Sequence, residues 1–487
     1  MIEVLALAPV ILPMLCAVFL LYVRKERAQD IFLMAFTAFL FLMNAAYFIA
    51  LERGFIQPLS YGPILLDGPG MLICCLVTFI GMLVIFYSFV YKDDQHYDNT
   101  YFIAYLLLMG TMCGLANTYN VIVMLIFLEA ATVISAVLVL FGRSKKAIDA
   151  ATVYLAISIV EVILVVLGAF ILYNNGHTLD LNLLSSASLS DNDKLLLALL
   201  FFFGFGTKAG LLPLGIIWLP AAHADAPPPI SATMSGILIK ASVIAMAKAI
   251  YPFYLMSGVE TLILVVAIFG VLNMISGVIM ALLSEDLKRL LAYHSVSQVG
   301  YILLGIGLAT PMSIYGALFH VMNHMLFKGC LFLITGALIL MVGTRKIHKM
   351  GGLLKQMPLT AACFLIAALA MSGLPFLNGF LSKEAIYEGS IQAGFPIIFT
   401  VAGQELTIFS ILGWTTSALT FICLMHAFYV IFLGKPKGDI KDVRDPPVYM
   451  MAPIVILAAL CILVGLFPAP VEGALHYAAG VLYSMRI

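Results

Sequence analysis

Charged side chains are scarce in this sequence. Only 10% of its 487 residues are Asp, Glu, Lys or Arg, and 63% are hydrophobic, whereas soluble domains carry about 25% charged residues. No polar stretch is long enough to form a soluble domain of its own. The composition therefore excludes a soluble multidomain enzyme and indicates a polytopic membrane protein.

Two further absences narrow the function. The 25 basic residues are balanced by 25 acidic ones, so the chain lacks the positive charge that a nucleic-acid partner requires. Its eight cysteines all lie inside apolar runs and form no C-x-x-C pair, so neither an iron–sulfur centre nor a disulfide framework is indicated. We expect no cofactor in this chain.

Apolar runs of about twenty residues predict fourteen membrane spans and an all-α fold. The predicted spans are 2–23, 31–51, 70–91, 100–116, 120–141, 150–173, 195–219, 229–251, 259–283, 290–308, 312–341, 358–390, 407–433 and 448–467.

The lysines and arginines predict the orientation of these spans. Most of the 25 lie in loops that follow odd-numbered spans, at 24–27, 143–146, 288–289, 345–355 and 435–444. Because such loops remain in the cytoplasm, we expect a multi-pass protein of the inner membrane with both termini outside.

Two lysines are predicted at bilayer depth. Lys208 lies midway along the seventh run, which Gly210 and Pro213 interrupt, and Lys240 lies midway along the eighth. A charge there costs at least about 2.5–3.5 kcal/mol and normally faces a protein interior or a wet cavity. These residues predict an ion path beside a discontinuous helix.

Two acids lie in neighbouring runs. Glu129 is central in the fifth run, and a stable charge there needs a partner, for which Lys208 is the expected candidate. Glu161 is central in the sixth run. A pair with Lys240, contact with another subunit and a protonated packing residue all remain open for Glu161.

The eleventh run carries a row of titratable groups. His320, His324 and Lys328 follow one another at intervals of four residues, which places them on one helix face over about 12 Å. Imidazoles titrate near neutral pH, so the row suits proton transfer. A metal site is the alternative, and cationic Lys328 on the same face disfavours it.

The twelfth run, like the seventh, is interrupted. Gly373, Pro375 and Gly379 divide it, and Lys383 follows the break. Two interrupted helices in corresponding positions of two halves indicate a transport site built on inverted repeats.

Other polar residues in the spans are less informative. His223 and Asp225, at the cytoplasmic end of the seventh span, suit a secondary proton path or a helix turn equally well. Lys248 is near a helix end, where we expect its amine to reach the surface. His294 begins the tenth span and fits a structural role as well as a functional one.

Four motifs resemble those of one family. They are KAGLLPLGIIWLPAAHADAPPPISATMSGILIK, EDLKRLLAYHSVSQVGYILLGIG, HVMNHMLFKG and SGLPFLNGFLSKE. They resemble the antiporter-like subunits of respiratory complex I, Mrp-type cation/proton antiporters and membrane-bound energy-converting hydrogenases, over about residues 70–435.

The resemblance implies a domain order and a set of site residues. Three N-terminal helices (1–99) precede two inverted five-helix repeats (100–252 and 253–434), and a last helix with a tail (435–487) follows. The family's buried row falls on Glu129, Lys208, Lys240, His320, His324, Lys328 and Lys383.

The expected function is proton translocation inside a redox-driven, complex I-like assembly with further antiporter-like subunits in the same bilayer. Redox chemistry would then belong to partner subunits. A subunit of a secondary Na⁺/H⁺ antiporter is the alternative, and a structural spacer with an inactive channel is a third. Whether Na⁺ accompanies H⁺ stays open.

Overall fold

The protein is a helical bundle of the kind that crosses a membrane. The computed structural model describes residues 3–22, 26–95, 98–186, 189–254, 261–401, 403–437 and 442–485. Within these ranges, twelve helices are long and apolar enough to span a bilayer. The expected all-α, multi-pass architecture is confirmed.

The helices follow one another along the chain with short connections. They are α1 (Ala8–Leu20), α2 (Glu26–Glu52), α3 (Gly68–Gln95), α4 (Asn99–Ala116), α5 (Val121–Leu140), α6 (Lys145–Gly176), α7 (Asp191–Ala209), α8 (Gly215–Asp225), α9 (Pro228–Thr233), α10 (Ile239–Ile250), α11 (Thr261–Leu282), α12 (Leu287–Leu308), α13 (Pro311–Val342), α14 (Pro358–Ser372), α15 (Asn378–Gln392), α16 (Ile408–Phe428), α17 (Val448–Leu466) and α18 (Ala469–Ser484).

Two predicted spans are each divided between two helices. The seventh is α7 followed by α8, and the twelfth is α14 followed by α15. Both breaks begin at a glycine in the left-handed conformation, Gly210 with φ 95° and Gly373 with φ 83°. Neither divided span is among the twelve unbroken ones, so the total of fourteen stays a prediction.

The divided helices occupy matching places in the order of elements. Each is the fourth span of its predicted repeat, and each directly follows a helix of 32 residues, α6 or α13. A π-helix then interrupts or ends the fifth span, at Met234–Leu238 and at Tyr429–Leu433. The order agrees with two repeats, whose boundaries remain a prediction.

Protein groups satisfy the backbone at both breaks. Asn273 of α11 accepts a hydrogen bond from Leu212 N–H (3.0 Å) and donates one to the Gly210 carbonyl (2.9 Å). Asn323 of α13 donates to the carbonyl of Asn378 (2.7 Å). Irregular backbone at membrane depth requires such partners, and here the second predicted repeat caps the break of the first.

The loops form two ends of the bundle. At the basic end, defined by residues 141–146, 225–228, 284–289, 343–357, 434–437 and 442–447, Arg345 joins Asp225 to Asp286. The opposite end is defined by residues 54–67, 117–120, 177–186, 189–190, 393–401, 403–407 and 467–485. Residues 23–25, 438–441 and 486–487, which carry part of the predicted charge pattern, lie outside the described ranges.

Small β-hairpins and a surface helix cover the opposite end. Strand β1 (Ser60–Tyr61) pairs with β2 (Ile64–Leu65), and β3 (Ile397–Val401) pairs with β4 (Gln404–Thr407), both antiparallel. Helix α18 packs against α2, α3 and α13. His476 of α18 stacks on Tyr315 of α13 with ring centroids 4.1 Å apart.

Glycines bring the backbones of α11 and α12 into direct contact. A Cβ added at Gly300 would lie 2.5 Å from the Gly270 carbonyl oxygen, and one at Gly277 would lie 2.5 Å from Ser297 N. Small residues permit this close approach between membrane helices. The α11–α12 pair therefore forms a rigid wall beside the first break, which Asn273 caps.

We expect Gly300→Ala to lower the stability of the protein by about 1–3 kcal/mol, because a methyl group has no space between the two backbones. The measurement is the thermal unfolding midpoint of the detergent-solubilised protein. Gly480→Ala is the matched control: its Cβ would meet nothing within 4 Å, and helix propensity favours it by up to about 1 kcal/mol. An equal midpoint for both variants would contradict the packing argument.

Candidate ion-translocation site

A buried ion pair lies beside the first helix break. The Lys208 amine, two residues before Gly210, is 3.3 Å from a carboxylate oxygen of Glu161 on α6. Both side chains are at most 1% exposed. The Tyr154 hydroxyl lies 3.4 Å from the amine, and the Tyr154 ring centroid lies 4.4 Å from it. Opposite charge and an aromatic face both stabilise the cation.

This pair corrects the expectation for Glu129. Glu161, not Glu129, is the ion-pair partner of Lys208. Of the three alternatives left open for Glu161, the pair with Lys240 is not formed among the described residues. Glu129 is only partly buried, and its inward-facing Oε1 has no hydrogen-bond partner within the described ranges. It interacts with Lys208 electrostatically. The Lys208 amine therefore lies in the field of two carboxylates, one in contact and one more distant.

Lys240 is the central and least compensated cation. It is fully buried and directly follows the π-helix Met234–Leu238. Its amine has no hydrogen-bond partner among the described residues. Buried polar groups in proteins are nearly always paired with protein or with water, and π-helical turns are frequent at functional sites. The eighth span therefore combines two features that are typical of functional sites, a buried amine without a described partner and a π-helical turn.

The row on α13 is buried over its whole length. His320 shares hydrogen bonds with Ser382 (2.9 Å) and Gln298 (3.2 Å), one at each ring nitrogen. Both ring nitrogens of His320 are therefore engaged by protein groups. Neither ring nitrogen of His324 has a partner in the described part of the chain. Lys328 donates to the Leu291 carbonyl (2.5 Å).

Lys383 lies beside the second break. Its amine donates to the Met371 carbonyl and to the Ser417 hydroxyl, both at 2.9 Å, and lies 4.5 Å from the centroid of the Tyr301 ring. The side chain is 2% exposed. As at Lys208, an aromatic ring faces the cation, but no carboxylate of the described residues lies in ion-pair contact with Lys383.

A cavity of about 430 Å³ opens at the basic end. It is lined by Asp225, Lys288, Arg345 and the backbone that follows His223. His223 is fully buried, stacks on Phe332 and has no described partner at either ring nitrogen. It directly precedes Ala224 and Asp225, which line this cavity, and it lies within electrostatic range of Lys240. The secondary proton path stays a prediction.

Two adjoining cavities open at the other side of the second predicted repeat. The inner one, about 210 Å³, is lined by Lys383, Glu384, Trp414 and Ser417. The outer one, about 300 Å³, shares Glu384 and Trp414 and adds Glu388 and Glu405. The two cavities share lining residues and lie between Lys383 and residues 403–406 of the opposite end.

The expectation for Lys248 is wrong. Its side chain is fully buried, and its amine lies 2.9 Å from a carboxylate oxygen of Asp67, so it does not reach the surface. The expectation failed because Asp67 lies far away in sequence, just before α3, and only the fold brings the two together.

Sequence reasoning also missed the groups that surround the lysines. Tyr154 and Ser417 touch titratable residues but belong to apolar runs without a motif, so no local signal distinguishes them from packing residues. Gln298 and Tyr301 lie inside the motif EDLKRLLAYHSVSQVGYILLGIG, but the motif alone assigned them no role.

Known proteins share sequence with most of this chain. Residues 118–410 match the family model described as "NADH:quinone oxidoreductase/Mrp antiporter, TM". The chain is 31% identical over 438 residues to hydrogenase-4 component B of Escherichia coli (86% of this chain, 64% of that protein). It is 35% identical over 424 residues to Na(+)/H(+) antiporter subunit A1 of Staphylococcus haemolyticus (83% of this chain, 52% of that protein). The chain thus spans less than two thirds of the length of these relatives.

Solved structures share the fold over almost the whole chain. A chain of the Mrp complex from Dietzia superposes with a TM-score of 0.87 at 21% identity, covering 99% of this chain and 98% of that one. A chain of an archaeal membrane-bound sulfane sulfur reductase gives 0.88 at 22% identity, with the same coverage. The family match, the relatives and the shared fold give one conclusion: this chain belongs to the NADH:quinone oxidoreductase/Mrp antiporter transmembrane family.

Proposed function

We propose that this chain is a proton-translocating, antiporter-like subunit of a redox-driven ion pump related to complex I, such as an energy-converting hydrogenase or an NADH or ferredoxin dehydrogenase. One observation carries the proposal. A row of buried titratable groups is distributed over neighbouring helices, with Glu161 and Lys208 beside the first break, Lys240 on α10, three residues on α13, and Lys383 beside the second break.

Electrostatic repulsion supplies a mechanism for movement along this row. Lys240 lies within electrostatic range of His324 and Lys328, and like charges in a low-dielectric interior repel strongly. A proton that arrives at Lys240 therefore favours proton release further along the row. Because α10 packs against α7, opening or closing of the Glu161–Lys208 pair would change the electric field at Lys240, and this change would couple the first break to the rest of the row.

The cavities suggest where protons enter and leave. The basic end, which the positive-inside rule places in the cytoplasm, opens towards His223 and Asp225. The opposite end opens beside Lys383 and Glu384. This orientation puts both termini outside an inner (cytoplasmic) membrane. Protons would enter from the cytoplasm near the centre of the bundle and leave through the second predicted repeat.

Partner subunits complete the proposed machine. Redox cofactors would reside in those subunits, further antiporter-like chains would share the bilayer, and no nucleic acid would be involved.

The similarity to hydrogenase-4 component B favours a redox-driven pump. The similarity to Na(+)/H(+) antiporter subunit A1 favours a subunit of a secondary antiporter. Purification of the native complex separates the two, because only the first contains iron–sulfur subunits.

The Glu161–Lys208 pair gives a sharp test. Glu161→Gln and Lys208→Met should each abolish proton translocation by the whole complex in proteoliposomes, because each removes the charge that its partner responds to. Since the two residues act as one unit, the double variant should be no worse than either single variant. Breaking a buried pair costs about 3–5 kcal/mol, so assembly is measured alongside.

Glu129→Gln is the matched comparison for this pair. It removes a carboxylate that interacts with Lys208 without contact, so we expect a partial loss of translocation. Losses for Glu161→Gln and Lys208→Met that simply multiply in the double variant would show independent action and contradict the pair.

Lys383 tests the proposed exit. Lys383→Ala should abolish proton translocation in the assembled complex, because it removes the amine that would carry the proton to the cavity beside Glu384. Proton uptake or release is followed with a pH-sensitive dye. The control is Lys194→Ala, which removes a surface lysine paired with exposed Asp191 and should have no effect. Near-normal translocation by the Lys383 variant would exclude it from the path.

A further inference from the structure

A second buried ion pair lies outside the row just described. Lys248 follows Lys240 by eight residues on α10, or about 12 Å along the helix. Its amine contacts both carboxylate oxygens of Asp67, at 3.0 and 2.9 Å, and the Ala116 carbonyl at 2.7 Å. The centroid of the Tyr119 ring lies 4.2 Å away.

The partners of this amine are complete. A lysine has three N–H donors, and Asp67 and Ala116 offer three acceptor atoms. The Asp67 carboxylate is equally well supported, since it accepts hydrogen bonds from the Tyr119 hydroxyl and from Gly70 N–H. Lys240, by contrast, has no described hydrogen-bond partner. Two lysines on one helix therefore have opposite environments.

The surroundings of the pair are tightly packed. A Cβ at Gly70 would overlap the Asn117 side-chain oxygen and would lie 2.7 Å from both the Ala116 carbonyl oxygen and Asp67 Oδ1. None of the three cavities described above is lined by Asp67, Tyr119 or Lys248. The backbone at Gly70 and Ala116 therefore packs closely against this pair.

We propose that Asp67, Tyr119 and Lys248 form a seal that closes the opposite end of the first predicted repeat to protons. The inference rests on the proposed function, in which Lys208 and Lys240 exchange protons. A saturated pair with zero net charge gives a proton on Lys240 no acceptor in that direction. Protons on Lys240 can then leave only through the second predicted repeat, at Lys383. The seal thereby gives proton transport its direction, from the first repeat to the second.

The test is the passive proton conductance of proteoliposomes that contain the whole complex, without its driving reaction. A potassium diffusion potential drives protons, and a dye inside the vesicles reports pH. Lys248→Met leaves the Asp67 carboxylate uncompensated, and Asp67→Asn leaves the amine uncompensated. We expect each to raise the conductance per assembled complex about tenfold, a barrier change of about 1.4 kcal/mol.

The double variant Asp67→Asn/Lys248→Met separates a seal from a relay. It contains no uncompensated charge, and the substituted amide at position 67 keeps one oxygen as acceptor for Gly70 N–H and gains an NH2 that can donate to the Tyr119 hydroxyl. A seal therefore predicts low conductance and retained translocation. Loss of translocation by a tight double variant would place the pair on the proton path and overturn the proposal. Wild-type conductance in both single variants would overturn it as well.

Two further variants keep the test decisive. Tyr119→Phe removes one hydrogen bond without removing a charge, and we expect about a twofold rise in conductance. If the single charge variants do not assemble, Tyr119→Phe alone decides the test. A conductance of Tyr119→Phe equal to that of the wild type would then overturn the seal. Lys194→Met is the exposed control and should leave the conductance unchanged. A wild-type complex that does not translocate protons while its driving reaction runs would instead contradict the proposed function. The two failures are distinguishable, because the passive conductance is measured without the driving reaction.

Discussion

The free-energy cost of charge in a low-dielectric interior constrains this molecule more than any other interaction. Each buried lysine is stabilised by a different set of partners. Lys248 has a complete set of acceptors, Lys208 has a carboxylate and an aromatic ring, and Lys383 has a carbonyl, a hydroxyl and a ring. Lys240 has no described hydrogen-bond partner. In the proposed function, this gradation would separate groups that hold a proton from groups that can exchange it.

The fold supplies the polar partners that membrane lipid cannot. Both helix breaks expose backbone groups, and asparagines on neighbouring helices satisfy them. The breaks place Lys208 and Lys383 next to irregular backbone, while glycines fix α11 against α12. The close packing of α11 and α12 and the hydrogen bonds at the two breaks hold polar groups in place inside an otherwise apolar bundle.

Much of this architecture could be predicted from the sequence, because span length, glycine and proline breaks and buried lysines are local signals. The partners could not. Glu161 rather than Glu129 contacts Lys208, and Asp67 reaches Lys248 from a distant segment. Helix periodicity gives the face of one helix, but it does not determine which neighbouring helix that face meets. The groups around Lys383, such as Ser417, follow from tertiary packing alone.

Lys240 offers the most direct test of the central claim, that an uncompensated buried amine links the two predicted repeats. The measurement is the number of protons translocated per turnover by the reconstituted complex carrying Lys240→Met, a substitution that retains the volume and removes the charge. The account predicts assembled complex that translocates fewer protons per turnover than the wild type. An unchanged number of protons per turnover would contradict it.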